Sequence, residues 1–178
     1  MVPRRATVQR MRALLVALAF TTATPLTYVA RLDAGSAPVL AGARVGTLSQ
    51  ATRTFGRPDH VLPLKGTHPV CRAVWADYGL EVRFSATAGC RRPGAWWQVT
   101  MRGARWHTAL GLHVGDREAR LRALYPDARR LDFLGLGALF ELETGGPFCD
   151  GGPPLAVAGR IAGGKVVALL VVHVPACG

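Results

Sequence analysis

Five histidines, four cysteines and a sparse set of carboxylates are the residues of this chain able to do chemistry. His60, His68, His107, His113 and His173 include no pair at i, i+4 and no HExxH, so the spacing that mounts a zinc hydrolase on one helix face is missing. Cys149, His173 and Cys177 are metal-ligand types, but no CxxC brings two thiolates together, and no metal site is expected. Nucleophilic catalysis would need a Ser or free Cys beside a His and an orienting carboxylate, and no GxSxG occurs. Asp77, Glu81, Glu141, Glu143 and Asp150 could move protons, yet none is visibly paired with another. The expectation is therefore a non-enzyme that needs no cofactor.

Contact chemistry is better represented. Trp75, Tyr78, Trp96, Trp97 and Trp106 crowd into one part of the chain, interleaved with Arg72, Arg83, Arg91, Arg92, Arg102 and Arg105. Trp, Tyr and Arg are the residues that dominate binding hot spots. Alternation along a strand puts Trp97, Val99 and Met101 on one face and Trp96 on the other. If the first face is core, Trp96 is the surface residue. The expected binding set is thus Trp96, Trp75, Trp106, Tyr78, Arg72, Arg83, Arg91 and Arg92.

Charge and the N-terminus bound where such a surface would work. Lys and Arg number 22 against 11 Asp and Glu, a formal +11. Removing the first 34 residues leaves 17 basic and 10 acidic residues, still +7. Arg4, Arg5, Arg10 and Arg12 precede the apolar run Ala13 to Phe20, which reads as an export signal, with cleavage after Ala23, Ala34 or Ala41. The uncharged stretch from Ala13 to Ala30 is at the lower limit for spanning a bilayer and Pro25 interrupts it, so a signal anchor fits less well. A secreted or extracytoplasmic protein follows, and in that compartment the four cysteines read as disulfides. Nucleic acid is not an expected partner there. A basic surface could still meet anionic cell-envelope polymers or membrane.

The elements that must position these residues repeat. Val45-Gly46-Thr47 stands opposite Val114-Gly115-Asp116, and Phe55 opposite Leu124. In the first unit Thr47 can cap a helix, with Gln50 completing a capping box; Leu48, Ala51, Thr52 and Phe55 share one face, and Gly56 and Pro58 stop it. In the second, Asp116 is the expected cap, Leu121 and Leu124 face inward, and Tyr125-Pro126-Asp127 ends the helix. Strands are expected at Cys71 to Tyr78, Leu80 to Phe84, Trp97 to Met101, Arg130 to Phe133, Ala138 to Glu143, Leu155 to Ile161 and Lys165 to Val174. The last has no alternation and should be buried on both faces, entered through a Gly163-Gly164 hairpin turn. Ala34 to Gly42 has linker composition, and Thr144 to Pro154 is too rich in Gly and Pro for regular structure. The units divide the chain into 1–34 (signal and linker), 35–110 and 111–178. Pairing Cys71 with Cys90 and Cys149 with Cys177 keeps each bridge inside one unit, one of three connectivities four cysteines allow.

A capped helix followed by an antiparallel meander, exported and in tandem, resembles the beta-lactamase inhibitory protein family. It is also similar to the small lipoprotein of the outer-membrane barrel assembly machinery, which has one such unit. The resemblance rests on Val45-Gly46-Thr47, Phe55-Gly56-Arg57-Pro58, Gly111 to Asp116, Leu124-Tyr125-Pro126 and the cysteines, over Gly42 to Gly178. It implies an α+β fold: two tandem units, each a helix plus a four-stranded antiparallel meander, joined in a curved sheet whose concave face binds a protein. The implied role is protein binding or inhibition, with an unidentified partner in the envelope or extracellular space. Inhibition of a beta-lactamase in particular is not carried over.

Overall fold

The computed structural model describes residues 28–32, 38–65, 69–86, 89–133, 137–144 and 155–173. Three short strands, β1 (Tyr28–Leu32), β2 (Pro38–Leu40) and β3 (Ala43–Arg44), precede α1 (Leu48–Phe55). Then come β4 (His60–Leu64), β5 (Val70–Trp75), a 3₁₀ turn at Ala76–Tyr78, β6 (Leu80–Ser85) and β7 (Trp96–Met101). β8 (Trp106–Thr108) leads to α2 (Glu118–Leu124), followed by β9 (Arg129–Phe133), β10 (Gly137–Thr144), β11 (Leu155–Ala162) and β12 (Lys165–His173).

Two four-stranded antiparallel meanders, β4 to β7 and β9 to β12, join through β7 and β12 into one curved eight-stranded sheet. The α+β class with two helix-plus-meander units holds. Leu169 to Val172 of β12 face Met101 to Gln98 of β7 in register. β12 is thereby central, and residues of both its faces are buried: Leu169 and Val171 join the main core, Leu170 and Val172 a smaller cluster with Leu139, Ala156, Ala158 and Ala168. Gly163 and Gly164, both at positive φ, make the tight turn from β11 into β12.

The strands beyond those expected are β4 and the strands of a small second sheet. β4 carries Pro63, which removes a ladder donor, and its place at the sheet's edge is where a strand tolerates that. A separate small sheet, ordered β3-β2-β1-β8, packs on the helix side, with Leu40, Val45 and Trp106 in the main core. This corrects the linker expectation: Pro38 to Leu40 is a buried strand, because a two-residue turn at Ala41 and Gly42, both at positive φ, folds it back on β3. β1, inside the segment expected to be signal and linker, pairs antiparallel with β2 and parallel with β8.

The helices are short and depend on packing. α1 has its capping box: Gln50 N–H donates to Thr47 Oγ1 at 3.2 Å, while Gln50 Oε1 accepts from Thr47 N–H at 3.1 Å. Thr47→Ala is expected to cost about 1 kcal/mol, read as a lower denaturation midpoint at unchanged slope. α2 departs from the expectation. Asp116 does not cap it; its Oδ2 accepts from His113 N–H at 2.8 Å, closing the preceding turn, and the cap position falls to Arg117 with no side-chain bond. α2 is held instead by Leu121, which packs so closely on β11 that a Cβ at Gly159 would meet its Cδ1 at 3.0 Å. Arg122 is exposed and stacks its guanidinium 4.2 Å from the centre of the Phe140 ring.

Candidate binding surface

The tryptophans expected at the surface are mostly the core. Phe55 of α1 sits edge-on to Trp75, Tyr78 and Trp106, with ring centres 6.1, 5.2 and 6.2 Å away. Trp75 and Trp106 are buried, and each indole N–H reaches a backbone carbonyl: Trp75 donates to Gly56 O at 2.8 Å, Trp106 to Tyr78 O at 2.6 Å. Tyr78 is half-buried against the same cluster. Gly79, at φ +58, makes the turn possible; a Cβ there would lie 2.6 Å from Gly103 N.

Trp96 and Trp97 exchange roles. The β6–β7 ladder pairs Arg83 with Gln98 and then Phe84 with Trp96, leaving Trp97 as an extra residue. That bulge resets the alternation by one position. Trp96 turns into the core at 7% exposure and Trp97 stands out at 51%. Trp96→Ala is accordingly expected to destabilise by about 3–5 kcal/mol, and Trp97→Ala by no more than about 0.5 kcal/mol. Denaturant titration of the two variants separates them.

The arginines fall into two groups. Arg72 and Arg83 lie on the sheet face opposite the helices, across the β5–β6 ladder from one another. Arg83 Nε donates to Glu81 Oε1 at 3.0 Å and Arg102 Nη1 to Glu81 Oε2 at 3.3 Å, so Glu81, almost wholly buried, is clasped from two sides. Arg83 Nη1 also reaches Gln98 Oε1 at 3.4 Å. Arg72 Nε is buried and makes no hydrogen bond among the described residues. The second-unit part of this face is the buried apolar cluster around Leu170. Arg83, expected to bind, is thus committed to Glu81 and Gln98 of the sheet, a structural use, whereas Arg72 lies beside this network without a bond to it.

Arg91 and Arg92 are different. Both are exposed, on the loop that the Cys71–Cys90 disulfide ties to β5, as expected for the first unit. With Arg53, Thr47, Ser49 and Thr52 of the α1 region they border a cavity of about 440 Å³ over Leu48 and Pro93. Trp96 N–H donates to Gly46 O at 3.1 Å, which fixes the start of β7 against the entry to α1. The basic loop, the bulge that carries Trp97 and the first turn of α1 therefore meet at one corner of the first unit. Of the residues expected at the surface, Arg91 and Arg92 are exposed here, while Trp96 is buried and Trp97 stands in its place.

A second polar cluster lies under α2. The Tyr125 hydroxyl is 2.6 Å from Thr108 Oγ1 and donates to Glu143 Oε1 at 3.2 Å. Burial pushes the Tyr125 phenol up to about 12, and burial also raises the Glu143 carboxyl above its ordinary value. A carboxyl with a raised native pKa binds its proton more tightly folded than unfolded. Its contribution to stability is largest below the ordinary carboxylate range and declines as pH rises through the native value. Glu143→Gln is expected to flatten that decline, measured as melting temperature from about pH 4 to 7. Nearby, Arg129 pairs with Glu141 at 2.9 Å beside a cavity of about 330 Å³. His107 and His113 stack with ring centres 4.9 Å apart, and their backbones bridge.

Among the described residues no group of three or more His, Cys, Asp or Glu could hold a metal, and no helix is long and apolar enough to cross a membrane. Cys149 and Cys177 lie outside the described residues, and with them the second expected bridge and the alternative metal set. Comparison with protein-family models, curated proteins and solved structures finds no match for this chain.

Proposed function

We propose that this is an exported, non-catalytic binding module that engages a protein of the cell envelope or extracellular space, in the manner of an inhibitor. The observation that supports this most is the β7 bulge. It lifts a large aromatic side chain, Trp97, out of a strand whose other residues are buried, next to a disulfide-pinned loop bearing Arg91 and Arg92. An exposed Trp beside Arg on a rigid support has the composition of an interface anchor. The resemblance to beta-lactamase inhibitory proteins is kept as part of this reading, supported by the two joined meanders with their helices on one face.

Export is part of the same proposal, with cleavage after Ala23. A cut there keeps β1, which ties the small sheet to β8; a cut after Ala34 or Ala41 would remove it. N-terminal sequencing of the exported protein distinguishes the three. For the binding role, the oxidised protein is used to capture partners from envelope extract and culture fluid, with Trp97→Ala side by side with Leu110→Ala, a change at an exposed apolar residue in the turn after β8. Stoichiometric retention of one protein, lost with Trp97→Ala and kept with Leu110→Ala, is the expected result. Retention indifferent to Trp97 overturns it.

A further inference from the structure

We propose that the groove between α1 and the Cys90 loop is a binding site for a phosphate-bearing anion, with a pyrophosphate-like pair of phosphoryl groups the best match. Three arginines, Arg53, Arg91 and Arg92, line one cavity, and none of the described residues lining it is acidic. This contrasts with four other arginines among the described residues. Arg83, Arg102, Arg122 and Arg129 each have a carboxylate within 3.4 Å. Arg53 is held over the helix by its bond from Nη1 to Ser49 Oγ at 3.0 Å. Arg91 and Arg92 follow directly on a half-cystine whose partner, Cys71, is fully buried in β5. The like charges are thus kept together by covalent and packing constraints, and a counter-charge between them relieves their repulsion.

The end of α1 is not what makes the site, since Thr47 already caps it. The side chains do. A guanidinium presents a planar fork that fits two oxygens of one phosphate or carboxylate. A lone carboxylate answers one fork, whereas two phosphoryl groups carry about three to four negative charges and enough oxygens for three. The hydroxyls of Thr47 and Ser49 on the rim add neutral partners, and Leu48 and Pro93 give an apolar floor. A phosphate group of this kind can be free in solution or belong to an anionic lipid headgroup, and the groove reads the shared chemistry.

This deepens the binding reading by saying what the loop's arginines take, and the two can fail separately. Titration calorimetry of the oxidised protein with pyrophosphate is compared with citrate, a carboxylate of similar charge, at physiological ionic strength. The expected result is preference for pyrophosphate, weakened about tenfold or more in Arg91→Ala/Arg92→Ala, and unchanged in Arg120→Ala, an exposed arginine on α2. Far-ultraviolet circular dichroism confirms that the double variant is folded. Vesicles with and without anionic phospholipid identify the source: retention competed by pyrophosphate assigns a headgroup, and no retention assigns a soluble phosphate. A Trp97→Ala protein that loses its protein partner and keeps pyrophosphate separates this site from the protein-binding one. Binding unchanged in Arg91→Ala/Arg92→Ala, or citrate bound as tightly as pyrophosphate, overturns the proposal.

Discussion

Replacing Trp106 with Ala is expected to lower stability by about 3–5 kcal/mol. Trp106 is fully buried, packs edge-on to Phe55 and donates its indole N–H to Tyr78 O. The substitution leaves a cavity and an unsatisfied carbonyl together. Trp106 also starts β8, the strand that joins the small sheet to the rest, so the cavity opens where two layers meet. Trp106→Phe keeps most of the packing and loses the hydrogen bond; it should fall nearer about 1–3 kcal/mol. Denaturant midpoints of the two variants divide the cost between volume and hydrogen bond, and equal losses would show that ring packing contributes little.

Removing the Cys71–Cys90 bridge by Cys71→Ala/Cys90→Ala is expected to cost about 3 kcal/mol, because the closed loop no longer restricts the unfolded chain. Cys71 and Cys90 are 19 positions apart, with Cα atoms 5.5 Å from each other. For a chain of this length that corresponds to a fall in melting temperature of about 10 °C. A second consequence is local. Untied from β5, the loop should be cut faster by trypsin between Arg91 and Arg92. A melting temperature within about 2 °C of the parent would show that the bridge restrains little that packing does not already hold.

The fold was legible where one local rule acted alone. The Thr47–Gln50 box, the Gly163-Gly164 turn and the unbroken apolar run of β12 each state their structure in adjacent residues, and each formed as expected. The misses share a different cause. Strict alternation assigned Trp97 to the core, but the β6–β7 register contains an inserted residue, and a bulge is a property of two strands together. Asp116 has a good cap's chemistry, yet His113 N–H, three residues before it, captures the carboxylate first. β1 was hidden because small apolar residues after a basic, apolar N-terminus read as signal; its partners, β2 and β8, are distant or short.

The candidate site shows the same division. Residue types pointed to Trp and Arg, and put Arg91 and Arg92 in a loop beside a disulfide, where they lie. They could not tell which indole faces outward, or that Arg83 belongs to the sheet's own polar lattice. That distinction depends on Glu81, Gln98 and Arg102, brought alongside only by the ladder.

The seam between the two meanders also fixes an order of assembly. All strands of the first meander are present once the chain has emerged to Met101, yet the inner edge of β7 stays open until β12, the last described strand, arrives to cover Gln98 to Met101. From Met101 until β12 emerges the half-made protein therefore presents an unpaired strand, the template on which wrong pairings form. A chain stopped before Lys165 would leave both β7 and β11 without their shared neighbour. The β11–β12 hairpin supplies the strand that closes the seam, and closure across so many intervening residues is expected to be slow.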